Sequence, residues 1–162
     1  RRMKEIVSIF LCGKMYGVDI ENIQGIENYT DVIRTGGEPG CLDGFVVIRE
    51  SQIPMINLRK KLVLPPVPVT EETKILIFMT DHGPAGAVVD GVQDILRVEG
   101  DNIQQFPTLM KSGQTDYVDY VAKSSKGLVV VMNPAHLLSE EEWGGVNQYK
   151  KDLQKESGEQ EA

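Results

Sequence analysis

The sequence predicts a mainly β chain: two related small barrels packed together, with a short helix at the C-terminus. Three observations carry this. Short segments of alternating apolar residues are separated by tight-turn residues; a hairpin-to-helix pattern occurs twice in the same order; and the C-terminal stretch switches to helical spacing behind an acidic cap.

At the start, Val7, Ile9 and Leu11 alternate with Ser8 and Phe10, Gly13-Lys14 supplies a turn, and Tyr16, Val18 and Ile20 resume the alternation. Period-two patterning on both sides of a glycine turn predicts a β-hairpin. A second strand pair runs through residues 45–48 and 53–56, turning near Arg49-Glu50-Ser51. Pro54, which cannot donate to a ladder, predicts an edge or a bulge there. Asn57 follows as the cap of a short helical turn through Leu62. Pro65, Pro66 and Pro68 fall close together, a spacing that predicts an extended polyproline segment and a boundary between lobes. Residues 74–79, an Asp81-His82-Gly83 turn and residues 85–89 then repeat the hairpin. Ser139-Glu140-Glu141-Glu142 has capping-box spacing, with acids where the helix dipole is positive. Behind it Trp143, Val146, Tyr149 and Leu153 form an apolar stripe. Gly144 and Gly145 each cost roughly 1 kcal/mol relative to alanine, so this helix needs a surface, the chain's own barrel or a partner. Residues 156–162 are polar and expected to fray.

The repetition extends to residues. Residues 17–26 align with 86–95 at an offset of 69, with Gly17/Gly86, Gln24/Gln93 and Ile26/Ile95 identical; residues 53–62 align with 129–138 at an offset of 76, including Asn57/Asn133. Two matches in order at similar offset indicate an internal duplication. A lone β unit of about 65 residues buries only about 60% of its surface, so the copies are expected to pack on each other. Closure into small barrels removes exposed strand edges. The expected division is lobe one at about 5–62, a proline-rich connection at 63–72, lobe two at about 73–138, and helix and tail at 139–162, together one domain.

Composition narrows the function. With 24 acidic and 17 basic residues the formal net charge is −7, which opposes a nucleic-acid backbone. No apolar stretch approaches the ~20 residues of a membrane-spanning helix, and the chain is expected in the cytoplasm. Cys12 and Cys41 are too few for a zinc site or a disulfide framework, and both are read as reduced structural thiols. His82 sits in a predicted turn and His136 in a helical turn, neither beside a nucleophile; Asp81, Asp90 and Asp94 lack calcium-loop spacing and read as solvated turn acids. No phosphate-binding glycine loop or nucleophile elbow occurs. The chain therefore reads as a non-enzymatic adaptor, without cofactor, metal or catalytic residues, that works by protein–protein recognition.

Three ordered blocks across about residues 6–142 resemble the CheW chemotaxis coupling proteins. Tyr16-Gly17-Val18-Asp19-Ile20 looks like that family's YGIDI segment. Residues 44–59, GFVVIRESQIPMINLR, resemble its GVxNLRGxIxPVxDLR pattern at Gly44, Arg49, Pro54, Leu58 and Arg59. Residues 88–92 match VVDxV, followed by Phe106-Pro107 and a closing strand and helix. The resemblance implies two five-stranded SH3-like barrels around a shared core. It also implies an adaptor joining chemoreceptor (methyl-accepting chemotaxis protein) cytoplasmic tips to the regulatory domain of a CheA-type histidine kinase in membrane-associated arrays. The alternative is a CheW-like interaction domain of a longer or different two-component signalling protein.

Carried over by motif position, the resemblance nominates Ile23, Gly25, Arg49 and Ile95 for a receptor groove between the lobes, and Gly44 and Val92 for kinase contact. The chain departs from the family in lobe one. Gly25 stands where a glutamate is usual, so the carboxylate that pairs with Arg49 is absent, and Val47-Ile48-Arg49-Glu50 replaces NLRG. A glycine at such a turn supplies positive φ, so Glu50 predicts a reshaped turn, and its own charge offers a counter-ion to Arg49. These changes suggest a divergent or accessory copy.

Overall fold

The structure, a computed structural model, describes residues 3–30, 32–34, 39–105 and 116–161. The first hairpin is β1 (Met3–Leu11) and β2 (Lys14–Asp19), joined by Cys12-Gly13, one residue earlier than the sequence suggests; both turn residues have positive φ. The chain crosses through a 3₁₀ turn (Ile20–Asn22) into β3 (Gly25–Asn28), β4 (Ile33–Arg34), β5 (Leu42–Ile48), β6 (Ser51–Asn57) and α1 (Leu58–Lys61). The second hairpin, β7 (Lys74–Thr80) and β8 (Gly83–Val89), leads into β9 (Gly91–Glu99), a 3₁₀ turn, β10 (Ile103–Gln105), β11 (Val118–Ser124) and β12 (Gly127–Met132), then α2 (Glu140–Glu161). Residues 106 and 107 lie outside the described residues.

One six-stranded sheet runs β10-β11-β12-β2-β1-β9, and the other runs β3-β7-β8-β6-β5-β4. In the first, the two edge strands β9 and β10 are joined only by Gly100–Asn102, which forces the sheet to curl until its edges meet. Counting β9 and β10 as one bent strand gives the five strands expected of each SH3-like barrel. We call these the terminal barrel (β1, β2, β9–β12) and the central barrel (β3–β8).

The duplication is present, but the copies are interleaved instead of sequential. β2 pairs in parallel with β12, Gly17 opposite Val131, and β8 pairs in parallel with β6, Gly86 opposite Met55. Likewise β9 pairs with β1 and β3 with β7. Each copy thus contributes a hairpin to one barrel and its remaining strands to the other. This corrects the division into lobes at 5–62 and 73–138. The proline-rich segment joins α1 to β7 inside the central barrel and is no lobe boundary. Strand exchange makes each marginal barrel depend on both copies. Asp19 marks one crossing: its carboxylate accepts from the Glu21 N–H (3.2 Å) and the Tyr120 hydroxyl (3.2 Å), with Lys4 at 3.4 Å.

Three apolar clusters follow from this topology. Ile6, Val129 and Val131 fill the terminal barrel; Val46, Met55 and Ile75 fill the central one; and Val7, Ile9, Phe45, Phe78, Trp143 and Val146 pack between them. Gly17 and Gly86 sit at equivalent places where a barrel interior leaves little room for a side chain: an added Cβ at Gly17 would lie 2.4 Å from Ile6 Cγ2, and at Gly86 2.8 Å from Ile75 Cγ2. Pro54 lies in β6, an inner strand, contrary to the expected edge or bulge. The β8 ladder begins only at Met55, so the missing N–H interrupts nothing on that side.

The caps form as expected. Asn57 Oδ1 accepts from the Lys60 N–H (3.1 Å) and Asn133 Oδ1 from the Ala135 N–H (3.1 Å). Ser139 and Glu142 bond reciprocally, Glu142 N–H to Ser139 Oγ at 3.1 Å and Ser139 N–H to Glu142 Oε1 at 3.0 Å. The apolar stripe of α2 docks on the chain's own barrels, with Trp143 and Val146 buried and Tyr149 and Leu153 packed against the same cluster. Its backbone stays helical to Glu161, beyond the expected fraying point.

Candidate functional site

The β5–β6 hairpin closes with two residues, Arg49 (φ 51°) and Glu50 (φ 69°), since Ile48 pairs directly with Ser51. Positive φ at both central residues defines a type I′ turn, for which Asn-Gly is the preferred sequence. The turn is therefore not reshaped by the loss of glycine; it keeps left-handed geometry at a steric cost of about 1–2 kcal/mol per residue. Glu50 does not pair with Arg49, and Arg49 has no hydrogen-bond or ion-pair partner among the described residues.

Arg49 and Gly25 meet at the mouth of the central barrel, in a hollow of about 220 Å³ whose walls include Glu27, Ile53, Ile77 and Pro84. The hydrogen bond from Gln24 N–H to Ile77 O (2.7 Å) fixes this corner. Glu27 follows Gly25 by two residues on β3 and so shares its face. A carboxylate missing at position 25 is thus present one step along the same strand face, a feature that strand alternation makes visible once β3 is placed. Gln24 also lines a second hollow of about 250 Å³ with Glu21, Asn22, Met79 and Asn133. Met79 and Ala135 in turn border a cavity of about 730 Å³ that includes His82, His136 and Trp143. Shared walls make the three one groove, running from the barrel mouth toward α2. Met79, half exposed in its middle, was not singled out by the sequence, where it reads only as a strand-end residue.

The other nominated residues are dispersed. Ile23 packs against the cluster between the barrels, between two groove residues. Ile95, 55% exposed, lies on β9 of the terminal barrel and lines none of the three hollows; Ile26, its counterpart in the duplication, is exposed on β3. Gly44 is buried at a bulge in β5, and Val92 is half-buried on β9, so the two kinase-contact nominees stand on different barrels.

Asp90 is no solvated turn acid. Its carboxylate receives both Nε (2.8 Å) and Nη2 (2.6 Å) of Arg59, and the Cys12 N–H (3.1 Å). Arg59 also donates to the Pro65 carbonyl. This joins α1, the proline segment, the first hairpin turn and the β8–β9 junction, and the Arg59 hydrogen bonds hold the Asp90 carboxyl below the usual carboxylate range. The Arg59 and Asp90 of the resembled motifs thus serve structure by binding each other. Asp94, more exposed, pairs with Lys126 at 2.6 Å.

His82 works as a clamp. Its ring stacks on Trp143 (centroids 4.8 Å apart, planes 16°), Nε2 lies 3.0 Å from Glu140 Oε2, and Nδ1 lies 3.2 Å from Asn147 Nδ2. With Asn147 donating to Nδ1, the ring proton is assigned to Nε2, which donates to Glu140. Neither imidazole is hydrogen-bonded to a hydroxyl or thiol among the described residues. Both cysteines are free, but only Cys41 is buried; Cys12 is exposed because the tight turn carries it outward. Burial, reinforced by Glu142, pushes the Cys41 thiol up to about 11. Among the described residues no group of three His, Cys, Asp or Glu side chains is placed to hold a metal, and no helix is long and apolar enough to cross a membrane.

Comparisons agree with this architecture. Residues 5–142 match the CheW-like domain family. The chain is 28% identical over 148 residues to the chemotaxis protein CheW of Klebsiella aerogenes, covering 91% of this chain and 89% of that protein. It is 24% identical over 138 residues to CheW of Bacillus subtilis, covering 85% and 88%. The crystal structure of the scaffolding protein TtCheW from Thermoanaerobacter tengcongensis superposes with a TM-score of 0.76 at 22% identity, covering 84% of this chain and 92% of that one. With two interleaved barrels around a shared core and a family match across most of its length, the chain belongs to the CheW-like family.

Proposed function

We propose that this chain is a non-enzymatic cytoplasmic adaptor of chemotaxis signalling, coupling chemoreceptor cytoplasmic tips to the regulatory domain of a CheA-type histidine kinase within receptor arrays. The relatives it matches are chemotaxis proteins, and a scaffolding protein shares its fold. The observation that carries the reading is the groove from Arg49 and Gly25 past Met79, an open channel with apolar walls and one unpaired cation at its end. Such a channel suits an amphipathic helix, which buries its apolar stripe while a rim charge sets register. Receptor contact is assigned to Gly25 and Arg49 within this groove, with Ile23 beneath it and Ile95 on the flanking barrel; kinase contact is assigned to the barrel ends near Gly44 and Val92. Glu50 and Gly25 mark the chain as a divergent copy.

The test is direct binding of purified chain to a receptor-tip fragment and, separately, to the kinase regulatory domain. Arg49→Ala should weaken tip binding about tenfold, or ~1.4 kcal/mol, and leave kinase binding intact. Binding to neither partner refutes the reading, and equal loss of both with Arg49→Ala refutes the site assignment.

A further inference from the structure

The two barrel mouths are built to one plan, so each serves as a control for the other. The Ile48–Ser51 closure of β5 and β6 corresponds, 76 residues on, to the Ser124–Gly127 closure of β11 and β12. Arg49-Glu50 thus corresponds to Ser125-Lys126, and at the offset of 69 Gly25 corresponds to Asp94.

In the terminal barrel this mouth satisfies itself. Lys126 Nζ reaches from the hairpin turn to Asp94 Oδ2 on β9 at 2.6 Å. The Ser8 hydroxyl holds Asp94 from behind, donating to its carbonyl and accepting from its N–H, each at 3.0 Å. In the central barrel the same construction is left open. The strand position is glycine, a Cβ there would meet nothing within 4 Å, and no ion pair crosses from turn to strand. The turn still carries a cation, Arg49, and Glu27 beside it also has no partner among the described residues. Ile53 and Ile77 form an apolar floor between these two charges.

Resting on the adaptor reading, we propose that the binding partner completes this mouth with a carboxylate of its own. The occupant is a helical segment that places an acidic side chain opposite Arg49, where the terminal barrel uses Asp94. An apolar side chain covers Ile53 and Ile77, and an amide or basic side chain meets Glu27. Side chains at i and i+3 or i+4 of one helix face have the spacing for this. Gly25 is then a specificity-determining position: glycine leaves the carboxylate to the partner, whereas an acid there would fill the place from within.

The experiment is calorimetric titration of the full chain, wild type and Gly25→Asp, with a chemoreceptor tip fragment and with the kinase regulatory domain. The open space at Gly25 makes the variant compatible with folding, which its thermal transition checks. The expected result is at least a tenfold loss of tip affinity with kinase affinity unchanged. A charge swap gives the second readout: Arg49→Glu loses tip binding, and reversing the contacted acid of the tip to lysine restores it. Equal or tighter tip binding by Gly25→Asp, or no rescue by the swap, overturns the proposal while leaving the adaptor reading standing. A wild-type chain that binds no tip at all overturns both.

Discussion

Single residues reveal where this chain departs from an ideal solution. Glu50 holds φ 69° in a turn that glycine adopts without penalty. Glu50→Gly should therefore stabilise the protein by about 1 kcal/mol, read as a higher urea midpoint at unchanged slope. The paired glycines give a graded prediction. Gly17→Ala meets the β-branched Ile6 and Val129, whereas Gly86→Ala meets Ile75 and the flexible thioether of Met55. Overpacking costs about 1–3 kcal/mol, and Gly17→Ala should lie at the upper end with Gly86→Ala below it. Equal costs would contradict the packing account. Much at this scale was legible in the sequence: Asn57, Asn133 and Ser139 announce their caps through local spacing. The Arg59–Asp90 pair was not, because residues far apart in the chain reveal a bond only once the fold brings them together.

Among elements, α2 shows how a marginal helix is rescued. Two glycines weaken it, and the Trp143–Val146 stripe, the His82 stack and the Lys61–Glu142 ion pair (2.9 Å) hold it down. Burial alone raises the Glu142 carboxyl, but the Ser139 N–H and Lys61 outweigh it and hold the group below the usual range. A lowered folded-state pKa means the stabilisation is complete above the ordinary carboxylate value of about 4.3 and fades as pH falls through the folded value. Trp143, the sole tryptophan, reports this locally. On acidification its fluorescence should shift as α2 loosens, and Glu142→Gln should flatten that response while lowering stability at neutral pH. Ser139→Ala should cost about 1 kcal/mol in the same assay. The stripe and cap were readable from spacing. The docking surface was not, since the same stripe serves either a barrel or a partner.

At the scale of the whole molecule, local patterning identified hairpins, turns and a duplication, but could not say which copy each strand joins. Pairing within a copy and pairing between copies satisfy the same alternation of apolar residues, so the exchange of β3–β6 and β9–β12 is invisible in sequence. It has a mechanical consequence. Fragments 1–64 and 65–162 should each lack cooperative unfolding alone and recover it on mixing, because each barrel draws strands from both; an autonomously folded fragment would refute the interleaving. The same interleaving places the groove between Arg49 and Met79 on one rigid frame while leaving the barrel ends open to a second protein. The adaptor account therefore stands or falls on simultaneous occupancy. Sedimentation of the chain with a receptor-tip fragment and a CheA-type regulatory domain should give one ternary complex larger than either pair, whereas mutual displacement of the two partners would contradict the account.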